Sequence, residues 1–292
     1  MPPTRIPTEE DFASILPSHP TFPATQTSPI SLVYPNPRES TTAILLLLHG
    51  LGDSEAPFTT FARNLSLPNV LSISIRGTAP LPSLLSSSSS NDDGQGQQQQ
   101  GYHWGDDITF SSSSGQLDPD PGFVTARRWI VERLVGEVLV GKCGWEVGDV
   151  MVFGFGQGGS VALGLGCWLR SEEAEEVVGG LGLGLREGNG KGGRAWKGVV
   201  SVGGALPMSM VPPTGTGKGG GGGVGKAKTP VLVCCGRESE AVDADAEEVL
   251  EREFEQVKVV RWKRDDDGMP RSREEVLPMM QFFVERLRSG WL

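Results

Sequence analysis

Seven short runs of apolar residues rich in Val, Ile and Leu punctuate the chain, at 30–34, 43–48, 70–75, 150–155, 199–202, 231–235 and 257–262. Each is bounded by turn-forming residues, and most are apolar throughout rather than at every second position. That pattern predicts strands covered on both faces, as in a parallel sheet. Between them, at 57–65, 123–140, 157–169, 243–254 and 273–288, apolar residues recur three and four positions apart, the spacing of a helix with one buried face. Strands alternating with helices predict an α/β protein: a mostly parallel sheet with helices on both faces.

Four tracts break the alternation, near 83–101, 111–117, 179–193 and 212–228, where Ser, Gln or Gly dominate. Such composition buries too little apolar surface to offset the entropy of ordering, so these tracts are expected to be mobile surface insertions. None falls where it would divide two cores, and no internal repeat is visible. The expected organisation is a segment at 1–29 followed by one domain at 30–292.

Composition narrows the function. Hydrophobic residues make up 37% of the 292, a low share that 41 glycines explain, and the net charge is -10. Phosphate backbones need a basic patch, and the short cluster from Lys191 to Lys197 is interleaved with Gly, so a nucleic-acid partner is not expected. The N-terminus has no apolar core of the signal-peptide kind, and no run approaches the roughly 20 apolar residues of a membrane span. A cytoplasmic protein without stable membrane insertion is expected. Cys143, Cys167, Cys234 and Cys235 lie in hydrophobic settings without metal-ligand spacing and read as reduced, buried thiols. No metal or cofactor is expected.

Two segments imitate phosphate-binding loops. GFGQGG at 154–159 follows a strand and opens a helix, matching GxGxxG in letter. At least three strands precede it, however, and the acids at 172–176, near the required distance, sit in a helical, exposed-looking run rather than at a strand end. GGGGVGKA at 220–227 lacks the hydroxyl after Lys226 that would hold magnesium.

Three features in order point elsewhere. LLLLHGLGD at 45–53 is a strand running into a Gly-rich turn; VFGFGQGGSVAL at 152–163 is a strand, tight turn and helix; VLVCCGRESEAV at 231–242 is followed by DGMPRSREEV at 267–276. Together they resemble the oxyanion loop, nucleophile elbow, and acid and histidine segments of α/β-hydrolases of the phospholipase/carboxylesterase and acyl-protein thioesterase group, over roughly 30–287. The resemblance implies an α/β-hydrolase fold and hydrolysis of carboxylic esters or thioesters by a Ser-Asp-His triad.

Carried over position by position, that triad is missing. Gly156 stands where the family's GFSQGG has its serine, Ser239 where it has its acid, and Arg271 where it has its histidine. Without any alignment, His19, His49 and His103 are the chain's three histidines and all precede the elbow, whereas the fold's order is nucleophile, acid, histidine. A hydroxyl needs a positioned base, and a guanidinium stays protonated. Ser160 lies about one helical turn from the reactive position and reads as a helix residue. His103, with Asp106 or Asp107, is either a displaced base or a packing histidine beside Trp104. Glycine at 156 is expected to relieve the strain of the turn.

If the turn persists, the amides of Leu51 and Gln157 should still face the former oxyanion hole at a helix N-terminus, which favours an anion. Arg271 is expected either to add its charge there or to pair with Asp265, Asp266 or Glu238. Tyr102 and Trp104 are expected to cap a core edge or line an acyl channel, and Asp53 to fix its loop by hydrogen bonding. The preferred expectation is a non-catalytic protein that binds a small acidic or acyl ligand or a protein partner. The alternative is a carboxylic ester or thioester hydrolase of weak or unconventional activity, with a nucleotide-binding protein behind both.

Overall fold

The computed structural model describes residues 3–15, 29–82, 100–110, 115–180, 194–213 and 225–288. Its centre is a seven-stranded sheet. The strands are β1 (Ile30–Val33), β2 (Ala43–Leu48), β3 (Val70–Ile75), β6 (Val150–Phe155), β7 (Gly198–Val202), β8 (Val231–Cys235) and β9 (Val257–Arg261). A separate two-stranded pair, β4 (Ala79–Pro80) and β5 (Tyr102–His103), accounts for the numbers between. Across the main sheet the order is β1, β3, β2, β6, β7, β8, β9, with β1 antiparallel and the rest parallel.

The uninterrupted apolar runs follow from this position. Every residue of β2 is buried, because its two faces feed two cores. Ile44, Leu46 and Leu48 meet Ile130, Leu134 and Leu163 on one side, while Ala43, Leu45 and Leu47 meet Phe58, Ala62 and Phe283 on the other. Each such buried Leu or Ile contributes about 1.5–3 kcal/mol. The first layer is formed by α3 (Val124–Arg128), which runs on as a π-helix over Trp129–Lys142, and by α4 (Gln157–Trp168). The opposite layer is α2 (Glu55–Leu65) and α7 (Arg273–Arg288). Two more helices, α5 (Glu172–Gly180) and α6 (Ala244–Glu253), complete the connections, the latter capped by Asp243 accepting from the Ala246 amide at 2.8 Å.

A short helix, α1 (Glu9–Phe12), was not legible in the apolar spacing. It brings Phe12 and Ile15 into the first core, and the Trp145 indole donates to the Arg5 carbonyl at 2.8 Å. Most of the low-complexity tracts, and the glycines of the Walker-like stretch up to 224, lie outside the described residues. No described helix is long and apolar enough to cross a membrane.

Candidate active site

The turn from β6 into α4 is built by glycines, each for a steric reason. A Cβ on Gly154 would stand 2.1 Å from the Gly158 carbonyl oxygen, and one on Gly158 would stand 2.5 Å from the Leu48 oxygen. A Cβ on Gly159 would meet the Ser201 hydroxyl at 2.5 Å. These absences let α4 descend onto β6, β2 and β7, so the GxGxxG spacing is accounted for by packing. Gly156 is different. It sits between strand and helix at φ 51°, ψ -120°, a conformation side chains resist, yet a Cβ there would find nothing nearer than the Gly50 Cα at 3.9 Å. The apex of the turn holds a conformation that glycine adopts without strain and a side chain would not, and it is sterically open.

Beside it, β2 continues into the loop from His49 to Asp53. His49 is fully buried. Its Nε2 accepts from the Gly77 amide at 2.7 Å, so its Nδ1 carries the proton and donates to the Gly50 carbonyl at 2.6 Å. Burial holds this imidazole below its ordinary pKa. The loop is pinned from the far side by Gly52 N–H donating to the Tyr102 carbonyl (2.8 Å) and Tyr102 N–H donating to the Asp53 carbonyl (2.9 Å). Asp53 also accepts from the Ser54 amide at 2.8 Å, the local role expected of it. Trp104 joins loop to turn: its indole donates to the His49 carbonyl and its amide to Gln157 Oε1, both at 2.8 Å. Tyr102 and Trp104 are thus buried, Trp104 completely and as part of the first core, which fits the core-edge reading of the two aromatics. Behind them, buried Arg76 makes a two-pronged pair with buried Glu55, at 2.7 and 2.5 Å.

Leu51 and Gln157 line one small cavity of about 20 Å³ together with His103, Asp107, Thr109 and Asp118. That is room for about one water molecule. Neither the Leu51 nor the Gln157 amide is engaged by the described residues. His103 is 5% exposed, its Nδ1 has no hydrogen-bond partner, and burial lowers its pKa against the opposing pull of Asp107. Of the two acids considered for it, Asp106 is engaged elsewhere, accepting from the Val124 and Thr125 amides at the start of α3.

The loops after β8 and β9 meet differently from expectation. Ser239 donates its hydroxyl to Asp267 Oδ2 at 2.7 Å and accepts from the Val242 amide at 3.0 Å. Asp267 Oδ1 accepts from the Gly236 amide at 2.7 Å, and its Cβ would lie 2.7 Å from a Cβ on Gly203. Asp267 escaped the sequence reading. Its signal was the run of three acids immediately before the Gly-Met-Pro turn.

Arg271 does not bring a free charge to the turn. Its side chain is 66% exposed and pairs with Asp266 at 2.7 Å, while its amide donates to Glu275. Asp265 and Glu238, the other acids considered, pair with Arg237. Three consecutive acids in the loop offer a matching charge close at hand, and solvation of both partners favours that pairing over burial of a guanidinium. Of the two expectations for Arg271, this geometry fits the pairing with Asp266 and not a charge added at the turn.

Other nucleophiles are poorly placed. Ser160 is buried in the first turn of α4 with its amide donating to the Gly156 carbonyl at 3.0 Å. All four cysteines are free and buried, as expected. Burial pushes their thiols up, Cys234 to about 12 and the others to about 11, so none is a thiolate near neutrality.

Strand order, turn and loop place this molecule among known folds. The structure aligns with Zea mays acyl-protein thioesterase 2 over 88% of this chain and 98% of that one, at a TM-score of 0.53 and 18% identity. It aligns with a Bacillus cereus carboxylesterase over 88% and 93%, at 0.51 and 13%. At these identities the likeness concerns the fold, which is that of the α/β-hydrolases. In sequence, the chain is 28% identical to an uncharacterized hydrolase of Schizosaccharomyces pombe over 84% of its own length and 83% of the relative's. It is 33% identical to an uncharacterized hydrolase of Mycosarcoma maydis over 41% and 40%. Residues 32–179 match the phospholipase/carboxylesterase family model, half of the chain and the half that contains both the His49 loop and the Gly156 turn, and the chain belongs to that family.

Proposed function

We propose that this chain is a non-catalytic member of the phospholipase/carboxylesterase family that acts by binding. The observation that carries this reading is Gly156: the apex of the elbow keeps its positive-φ backbone and open approach but presents no side chain. The supporting groups point the same way. Ser239 is a hydroxyl tied to Asp267, Arg271 is a guanidinium tied to Asp266, and the nitrogens of His49 both serve the local backbone. Covalent ester hydrolysis needs a nucleophile whose proton a positioned base removes, and no such couple exists among these residues.

A small acid seated at the turn fits this geometry poorly. The helix N-terminus offers roughly half an elementary charge, whereas Asp107 and Asp118 each bring a full negative charge to the wall of the same cavity. An acyl chain or a protein partner therefore replaces the acid in this proposal. Reaction with a serine-directed fluorophosphonate probe tests the reading: no labelling beyond a heat-unfolded control is expected, and stoichiometric labelling of the folded chain would end it.

One observation favours a second reading, residual hydrolysis without a covalent intermediate. His103 is held neutral by burial and shares its one-water cavity with Leu51 and Gln157, whose amides are not engaged by the described residues. A water deprotonated there would attack a carbonyl polarised by those amides. Slow turnover of an aryl acetate that His103→Gln abolishes, without fluorophosphonate labelling, would select this reading over the first.

A further inference from the structure

A larger cavity, of about 450 Å³, lies at the other end of α4. Gln157 and Trp168 are the first and last residues of that helix, so at 1.5 Å per residue the two sites stand roughly 16 Å apart. The volume falls in the range of small-molecule sites. Phe123, Val124, Trp168, Met210 and Val211 give it apolar walls.

Glu172 is exposed at its rim, and of its other polar side chains all are engaged except for one atom. Ser171 caps α5 by accepting from the Ala174 amide. The Ser209 hydroxyl donates to Asp120. Glu173 accepts from the Trp168 indole at 3.0 Å through one oxygen and from Arg127 Nη2 at 2.8 Å through the other. Arg127 itself is 7% exposed, with its guanidinium 4.5 Å above the Trp168 ring. Its Nη1 is buried without a partner. A buried donor left unpaired is costly, and because Arg127 lines the cavity, a small turn of its guanidinium toward an acceptor there would recover that loss.

Charge decides which acceptor. The positive charge of Arg127 is matched by Glu173, and Glu172 adds a further negative charge at the cavity wall. A carboxylate or phosphate would therefore enter a net negative environment, on a chain whose net charge is -10. An uncharged oxygen meets the same donor without that repulsion. We propose that this cavity binds an uncharged, mostly apolar small molecule that presents a carbonyl or ether oxygen to Arg127. The site stands whether or not the Gly156 turn is catalytically silent, so its test and the fluorophosphonate test fail separately.

The probe is Nile red, an uncharged dye with a carbonyl, titrated into the full chain beside the anionic dye 8-anilinonaphthalene-1-sulfonate. Saturable enhancement of Nile red emission is expected, with the anionic dye weaker by about tenfold or more. Val124 is 45% exposed at the cavity wall, and Val124→Trp should weaken Nile red by about tenfold. Arg127→Lys, which keeps the charge facing Glu173 but removes the second donor, should weaken it comparably. Should Val124→Trp lower the melting midpoint, exposed Ser209→Phe takes its place with the same expectation. Unsaturable or absent enhancement, equal affinity for the two dyes, or wild-type affinity in the folded plugged variant or in Arg127→Lys would each overturn the proposal.

Discussion

The Ser239 hydroxyl and the Asp267 carboxylate are 2.7 Å apart, so the loop after β9 delivers a carboxylate to the loop after β8. In a triad-bearing relative the second of these loops would supply the acid and the first the imidazole. Here one acid holds both loops together, because it also accepts from the Gly236 amide. Asp267→Ala would leave that amide and the Ser239 hydroxyl without their acceptor, at a cost of about 2–3 kcal/mol. Asp267→Asn keeps one acceptor and should lose about half as much. Urea unfolding of the three proteins measures this, and an Asp267→Ala midpoint equal to wild type would show the contact to be incidental.

The same contact bears on any attempt to rebuild the triad. Gly156→Ser, Ser239→Asp and Arg271→His together would set a new carboxylate against Asp267, and two like charges at hydrogen-bond distance disturb both ionisation and loop position. Adding Asp267→Asn removes that conflict. The fourfold variant should hydrolyse an aryl acetate at least on the order of a hundredfold faster than wild type, the scale of a positioned general base. Gly156→Ser alone should gain far less. A well-folded fourfold variant with no gain would mean that the acid and histidine positions have been placed on the wrong residues.

The sheet was legible because burial on both faces writes itself into the chain as continuous apolar runs. The runs at 43–48, 70–75, 150–155 and 231–235 match β2, β3, β6 and β8 residue for residue. The elbow was legible because close approach of backbone at 154 and 158, and of the Ser201 hydroxyl at 159, favours glycine there. What the sequence left open depends on side-chain direction. Arg271 could pair with an acid of its own loop or face the turn, and Trp104 could cap the core or line a channel; the pairing with Asp266 and the bond to the His49 carbonyl decide between them. Asp267 was hidden for the same reason: three adjacent acids look alike in sequence, and only the fold selects which one points at Ser239. Arg127 was passed over because an arginine on a helix is ordinarily solvated.

Buried His49 makes stability depend on pH. Burial lowers its pKa in the folded chain, while the unfolded chain titrates near 6.5. Above that value both states are neutral and the stabilising contacts with Gly50 and Gly77 are complete. As the pH falls below 6.5 the unfolded state takes up a proton that the folded state resists, and stability drops by up to about 1.4 kcal/mol per pH unit. His103, also lowered by burial, adds in the same direction. Urea midpoints between about pH 7 and pH 5 should fall in wild type and fall less steeply in His49→Gln. Parallel curves would indicate that His49 does not titrate with unfolding.

Arg76 and Glu55 are a buried pair that holds the base of the His49 loop, with the Arg76 guanidinium also 4.9 Å above the Tyr102 ring. Removing one charge leaves the other buried without its match. Glu55→Gln should therefore destabilise the chain by about 3–5 kcal/mol. Replacing both, as Glu55→Gln with Arg76→Met, should recover part of that loss. Additive losses in the double variant, measured by the same urea titrations, would argue that the two residues act separately.

Gly154 and Gly156 are two residues apart but are glycine for opposite reasons, and alanine separates them. At Gly154 a Cβ would press to 2.1 Å against backbone that cannot yield without moving α4 off the sheet. Gly154→Ala should therefore fail to fold or lose several kcal/mol, at or beyond the roughly 1–3 kcal/mol range for overpacking. At Gly156 the space is open and the backbone angle alone resists, so Gly156→Ala should cost about 1–2 kcal/mol and keep the melting transition cooperative. Neither variant should change binding of a nicotinamide dinucleotide, since wild type is expected to show none. Equal, mild losses at the two positions would mean that α4 does not descend onto β6 as described, and the basis for reading the turn as a hydrolase elbow would go with it.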